Sequence, residues 1–217
     1  LKEKYRTHTE SPHMADYWGM CEWFDQTCGE VLDELDRRNL TENTLVVFIA
    51  DNGYIQDPEK GDRAARSKLS PYEGGVRTPI MLRWPGHISP KTIDTPVSSI
   101  DLAPTILTAV GLSPIAEMSG VNLLDDSVVS ARKAIFGEIF HHDSADLNRP
   151  SASLEYRWCV AAPWKLIIPA PGKGADSKPE LFQIVDDPSE QTDESTNHPD
   201  VVERLQNLTN AWWNATP

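Results

Sequence analysis

The stretch TLVVFIADNG, residues 44–53, decides the fold class. Its first seven residues form a continuous apolar run rich in β-branched side chains, which predicts a strand buried on both faces, as in a parallel sheet. Asp51, Asn52 and Gly53 follow at the carboxyl end of that strand. In open α/β sheets ligands gather in the crevice beyond the strand ends, so polar residues there carry a functional expectation.

Upstream, over residues 14–38, the apolar residues Met14, Tyr17, Trp18, Cys21, Phe24, Cys28, Val31, Leu32 and Leu35 recur at the spacing of one helical stripe. Ser11 suits the N-cap, Pro12 the first turn, and Arg37 with Arg38 the negative end of the macrodipole; Asn39 is the expected stop. Downstream, residues 79–84 read as a second short strand closed by Pro85 and Gly86. Residues 98–110 read as a helix with Asp101 and Pro104 in its first turns and Gly111 as its end. Beyond Asp126, short runs at 134–140, 156–161, 164–169 and 181–185 predict a small antiparallel sheet. A helix from Asp200 to about Trp213 puts Val201, Leu205, Leu208 and Trp212 on one side, to pack over it. The grammar is α/β over residues 1–130, followed by a small α+β subdomain over 131–217.

Composition narrows the function. Twenty Lys and Arg against 33 Asp and Glu give a net charge of −13, which argues against a nucleic-acid binder. No apolar run approaches the roughly 20 residues of a transmembrane helix. Three cysteines, an odd number, do not make a disulfide framework, and Cys21, Cys28 and Cys159 read as small buried apolar groups. The chain opens at Leu1 and not at a methionine, which suggests truncation or processing, so the absence of a leader carries no information about compartment.

Charge is unevenly spread. Residues 60–91 hold seven basic residues against two acidic ones, a candidate anion pocket following Asp51 and Asn52. Residues 176–204 hold nine acids and two bases and read as a solvated face. Asp51 and Asn52 offer one charged and one neutral hard oxygen ligand, suited to Ca²⁺ or Mg²⁺, although Asp-Asn-Gly is also a plain turn and two donors cannot fill a hard cation's shell. Lys68 precedes SPYEGGVRTP, where Gly74 and Gly75 permit close backbone approach and Glu73 with Arg77 can pair, leaving Lys68 as a point charge for an anion or as an ordinary surface lysine. His141 and His142, with Asp143, follow a predicted strand and can line a pocket, bind metal or decorate a polar loop. Tyr156, Trp158, Trp164 and Trp212 suit core packing better than a sugar or aryl ring.

Taken together, TLVVFIADNG, KLSPYEGGVRTPIMLRWPG, SSIDLAPTILTAVGL, GEIF, WKLI and ELFQIVDDPSEQTD, in that order, resemble the type I sulfatase family of the alkaline phosphatase superfamily. The resemblance implies the carboxy-terminal part of an alkaline-phosphatase-like α/β/α sandwich plus a small antiparallel subdomain with a terminal helix. It implies that Asp51 and Asn52 are Ca²⁺ ligands, that Lys68 contacts the substrate sulfate, and that Glu73, Gly74, Gly75 and Arg77 shape the site. Loops equivalent to His141 and His142 border the substrate in the family. The implied activity is sulfate-ester hydrolysis, acting on a sulfated small molecule or glycan.

One departure is decisive. The family's nucleophile is a formylglycine made from Cys or Ser in a C/S-x-P/A-x-R motif, and no such motif is present. Formylglycine and the remaining Ca²⁺ ligands are expected only in a missing amino-terminal part, so the chain alone is expected to be inactive. A phosphodiester or phosphonate ester hydrolase with transition metals, or a non-catalytic binder of sulfated glycans, are the alternatives. Asn39, Asn207 and Asn214 each begin a glycosylation triplet, and the family is commonly exported, periplasmic or lysosomal.

Overall fold

The computed structural model describes residues 1–143, 145–172 and 178–214. They cluster into two compact units: Leu1–Lys68 with Gly74–Lys91, and Leu69–Glu73 with Thr92 to the carboxyl end.

In the first unit a short helix α1 (Lys2–Tyr5) packs on the long helix α2 (Pro12–Arg37). Helix α2 starts where the sequence places its cap: the Ser11 side chain accepts the Met14 N–H, and Pro12 occupies the first turn. Asn39 ends it in the left-handed region, at φ 56°. Gly19 lets α1 approach, since a Cβ there would lie 3.0 Å from the Lys2 backbone nitrogen. Only part of the α2 stripe is covered: Phe24 tilts against Phe48 at 6.0 Å yet remains exposed, as does Val31, and Met20 and Trp23 beside the stripe are exposed too. Cys21 is exposed and Cys28 half-buried, so the expected burial of the cysteines holds for Cys159 alone.

Strand β1 (Val46–Ile49) carries the apolar run, and helix α3 (Glu73–Val76) precedes strand β2 (Ile80–Arg83). The two strands pair antiparallel, with Val46 opposite Arg83 and Ile49 opposite Ile80. The expectation of a parallel strand buried on both faces is therefore corrected: β1 is half-buried, with Ile49 38% exposed. A continuous apolar run reports strand propensity and contact with other apolar groups, but strand direction is set by the partner and leaves no local trace.

In the second unit the 3-10 turn Ser99–Asp101 leads into α4 (Leu102–Ala109), which stops at Gly111 with φ 78°. Asp101 is fully buried and organises this region. Its carboxylate accepts the N–H groups of Ser98 and Val121 at 2.8 Å each and takes a two-point contact from Arg132, which follows α5 (Asp126–Ser130), at 2.6 and 2.5 Å.

Strands β3 (Ile135–Phe140), β4 (Leu154–Ala161), β5 (Trp164–Pro169) and β6 (Glu180–Gln183) form the expected antiparallel sheet in sequence order. Helix α6 (Pro199–Trp212) lies on it, bringing Val201, Leu205 and Leu208 against Cys159, Leu166 and Leu181. Of the candidate aromatics, Trp212 stacks on Phe136 at 5.3 Å, Trp164 joins the core, and Trp158 lies beneath Gly137 so closely that a Cβ there would come within 2.2 Å of its ring.

The acidic stretch is not a uniformly solvated face. Glu190 is 1% exposed and Asp193 accepts the N–H groups of Leu181 and Ser195, so two of these carboxylates build structure. A run of like charges conceals members whose partners lie far off in sequence; the Glu190 carboxylate accepts the Glu73 N–H, 117 positions away, at 2.6 Å. Of the Asn214 triplet, residues 215 and 216 lie outside the described residues.

Candidate functional site

The first unit holds a cleft of about 550 Å³ at the carboxyl end of β1, lined by Tyr17, Asp51, Asn52, Tyr54, Lys68 and Arg77 among others. Three side chains singled out from the sequence, Asp51, Asn52 and Lys68, thus share one cavity. β1 delivers the first two and the loop that follows delivers the third.

Close backbone contact sets the turn. The Gly53 N–H donates to the Gly75 carbonyl at 2.8 Å, and a Cβ on Gly53 would fall 2.5 Å from the Gly74 carbonyl oxygen. The turn therefore sits directly against the two glycines of α3, just before Arg77. The Asn52 amide nitrogen donates to the Gly53 carbonyl and the Asp51 Oδ1 accepts the Asn52 N–H, both at 2.9 Å.

The basic loop is equally ordered. Ala64 donates to the Ile55 carbonyl at 2.8 Å, and the Gln56 side-chain amide donates to the carbonyls of Asp57, Lys60 and Asp62 at 2.8 to 2.9 Å. Ser67, 1% exposed, accepts the Ile55 N–H on its Oγ at 2.7 Å. Arg66 and Leu69 both adopt left-handed angles, φ 56° and 68°, so two non-glycine residues hold unfavourable backbone on either side of Ser67 and Lys68. The result exposes Lys68, which forms no ion pair or hydrogen bond among the described residues. An ammonium group on a bent, anchored loop is suited to receive an anion from solvent.

Asp51 and Asn52 fit a hard cation as part of its shell. After the turn's own hydrogen bonds, the second Asp51 oxygen and the Asn52 amide oxygen have no partner among the described residues. One is charged and one neutral, both are oxygen, and such donors match Ca²⁺ better than a soft metal. Among the described residues no group of three or more His, Cys, Asp or Glu is placed to hold a metal by itself.

His141 and His142 lie in the second unit, exposed, just after β3. The His141 backbone N–H donates to the Ser153 carbonyl at 2.7 Å and its Nδ1 accepts the Asp143 N–H at 3.3 Å, which folds the ring back on its own loop. Glu73 is held by Lys165 of β5 at 2.8 Å. Two cleft residues went unread in the sequence. Tyr17 belongs to the helical stripe and looks like core, and Tyr54 follows the Asp-Asn-Gly turn with no motif of its own. Their rings stack, centroids 5.8 Å apart and planes 27° from parallel. Burial first, then the neighbouring Cys21 and Tyr54, pushes the Tyr17 hydroxyl above its ordinary range.

Comparison with known proteins covers both units. Residues 1–112 match the sulfatase family model, and residues 65–212 match that of the N-sulphoglucosamine sulphohydrolase carboxy-terminal region. A sulfatase of Formosa agariphila is 31% identical over 98% of this chain and 42% of its own length. An N-acetylgalactosamine-6-O-sulfatase of Bacteroides thetaiotaomicron is 29% identical over 85% of this chain and 39% of its own length. A solved structure from the study of glycosaminoglycan metabolism by Bacteroides thetaiotaomicron superimposes with a TM-score of 0.73 at 25% identity, covering 91% of this chain and 42% of that one. The chain thus spans about two fifths of the length of these relatives. The two matching models overlap and together run from Leu1 to Trp212, and on that ground the chain belongs to the sulfatase family.

Proposed function

We propose that this chain is the part of a sulfuric ester hydrolase that holds the sulfuryl group and contributes to a Ca²⁺ site. The observation that carries the reading is the shared cleft, where two hard oxygen donors and an unpaired ammonium line one cavity at a strand end. Membership of the sulfatase family supports it, as do relatives whose names describe sulfate-ester hydrolysis.

Hydrolysis of a sulfate ester needs an attacking oxygen, stabilisation of the sulfuryl oxygens and protonation of the leaving alcohol. Lys68 serves the second need by placing its ammonium on a sulfuryl oxygen, and the Arg77 guanidinium on the same wall adds positive charge to the cleft. Asp51 and Asn52 would hold the cation from one side, and their turn is fixed by Gly53 before any ligand arrives, so little reorganisation accompanies binding. A bound Ca²⁺ would supply positive charge to the sulfuryl oxygens. The attacking formylglycine is not encoded in these residues, and the leaving-group acid is not assigned to any of them.

The test uses the intact protein that carries this chain, with 4-nitrophenyl sulfate as substrate and inorganic sulfate as inhibitor. Lys68→Ala is expected to lower kcat/KM by about 10²- to 10³-fold and to abolish sulfate inhibition. Calorimetry is expected to show Ca²⁺ binding that Asp51→Asn weakens. A Lys68→Ala enzyme within twofold of the parent would overturn the assignment. Bound Zn²⁺ or Mn²⁺, with faster turnover of a phosphonate ester, would favour the other hydrolase of the superfamily.

A further inference from the structure

The cleft has a wall that the anion and cation chemistry does not use. Tyr17 from α2 and Tyr54 from the turn after β1 both line it, with Tyr54 39% exposed and its hydroxyl reaching Gln56 Oε1 at 3.4 Å. The two rings stack within the same unit as Asp51, Lys68 and Arg77. An exposed tyrosine braced by a second one is costly in apolar surface and stiff in orientation, and it has a polar tip at each ring.

We infer that the Tyr17–Tyr54 pair is a stacking platform for the ring that bears the sulfate, Tyr54 offering the aromatic face and Tyr17 bracing it. The inference rests on the reading of Lys68 and Asp51 given above and deepens it. A sulfated pyranoside has an anionic ester at one end and a flat face of C–H groups beside it, edged by hydroxyls. The cleft offers the complements: a cationic and metal-binding side for the ester, an aromatic face for the C–H groups, and phenol oxygens for the hydroxyls. Tyr54 is therefore a specificity-determining residue, and Tyr17 is a positioning residue that fixes the plane of its ring.

The experiment compares two ligands on the intact protein. One is inorganic sulfate, which reads the ester side alone; the other is the tightest binder from a panel of sulfated monosaccharides that includes N-acetylgalactosamine 6-sulfate. Tyr54→Ala is expected to weaken the sugar sulfate about tenfold while leaving inorganic sulfate within twofold, and Tyr54→Trp to restore the loss. Tyr17→Leu, which keeps bulk but removes the stacked ring, should give an intermediate loss with the same selectivity. If Tyr54→Ala leaves the sugar sulfate unchanged, or weakens both ligands equally, the platform is overturned. A panel in which no sugar sulfate binds more tightly than inorganic sulfate overturns it as well. Failure of the underlying reading is a different result: Lys68→Ala would then leave inorganic sulfate binding intact.

Discussion

The ammonium of Lys165 lies 2.8 Å from Glu73 Oε1, and neither solvent nor a surface groove reaches it. Glu190 closes the arrangement, its Oε1 3.0 Å from the same nitrogen. Burial pushes the Glu190 carboxyl above its ordinary range, and the charge of Lys165 offsets only part of this. Lys165→Met leaves two buried carboxylates facing each other without a cation and should cost about 3–5 kcal/mol by urea denaturation. Because the folded-state value for Glu190 is raised, the favourable contribution is complete below the unfolded value near 4.3 and is lost as pH rises through the folded one. Lys165→Met should therefore lose stability more steeply than the parent as pH rises above the unfolded carboxylate value near 4.3, and Glu190→Gln should flatten that slope. Parallel slopes in all three proteins would refute the account.

Asp101 works in the opposite sense. Burial alone would raise its carboxyl, but the Arg132 guanidinium and the N–H groups of Ser98 and Val121 outweigh that and hold it below the usual carboxylate range. Its contribution is present at neutral pH and disappears as pH falls below about 4, through the folded-state value. Asp101→Asn should cost about 3–5 kcal/mol at pH 7 and remove part of the acid-induced loss. An unchanged acid limb would contradict this.

Two glycines give a matched pair. A methyl group at Gly53 collides with the Gly74 carbonyl, so Gly53→Ala should cost about 1–3 kcal/mol and weaken inorganic sulfate and Ca²⁺ together in calorimetry. Gly29, inside α2, has nothing within 4 Å, and Gly29→Ala should stabilise by about 0.5–1 kcal/mol with both affinities unchanged. Normal ligand binding by Gly53→Ala would show that the turn does not preform the cleft.

Thiol labelling reads the burial of the three cysteines directly. Cys21 should react first with a disulfide reagent and Cys28 more slowly. Cys159, pushed up to about 11 by burial, should react only on unfolding. Three equally fast thiols in the native protein would mean that the β4–α6 core opens readily.

Helix α2, β1, α4, the four-stranded sheet and α6 were legible because each depends on local periodicity and capping: Ser11 and Asn39 mark the ends of α2 and Gly111 that of α4, and the structure keeps all three. The Asp-Asn-Gly turn and Lys68 were legible as donors and charge, and the structure brings them to one cleft. What escaped depends on distant partners. Ile49 meets Ile80 antiparallel, Glu190 finds Lys165, and Tyr17 leaves its helical stripe to stack on Tyr54. None of these pairings alters the spacing or composition of the segment that carries it, which is all that a single sequence displays.

The pairing of β1 with β2 has a manufacturing consequence. Among the described residues each strand has one neighbour, so each has an outer edge with no strand partner, beside exposed Ile49 and Met81. Such a ribbon recruits further ribbons. Produced by itself, the 217-residue polypeptide is expected to oligomerise through that rim as concentration rises, and a lysine in place of Met81 should keep it dispersed in light scattering.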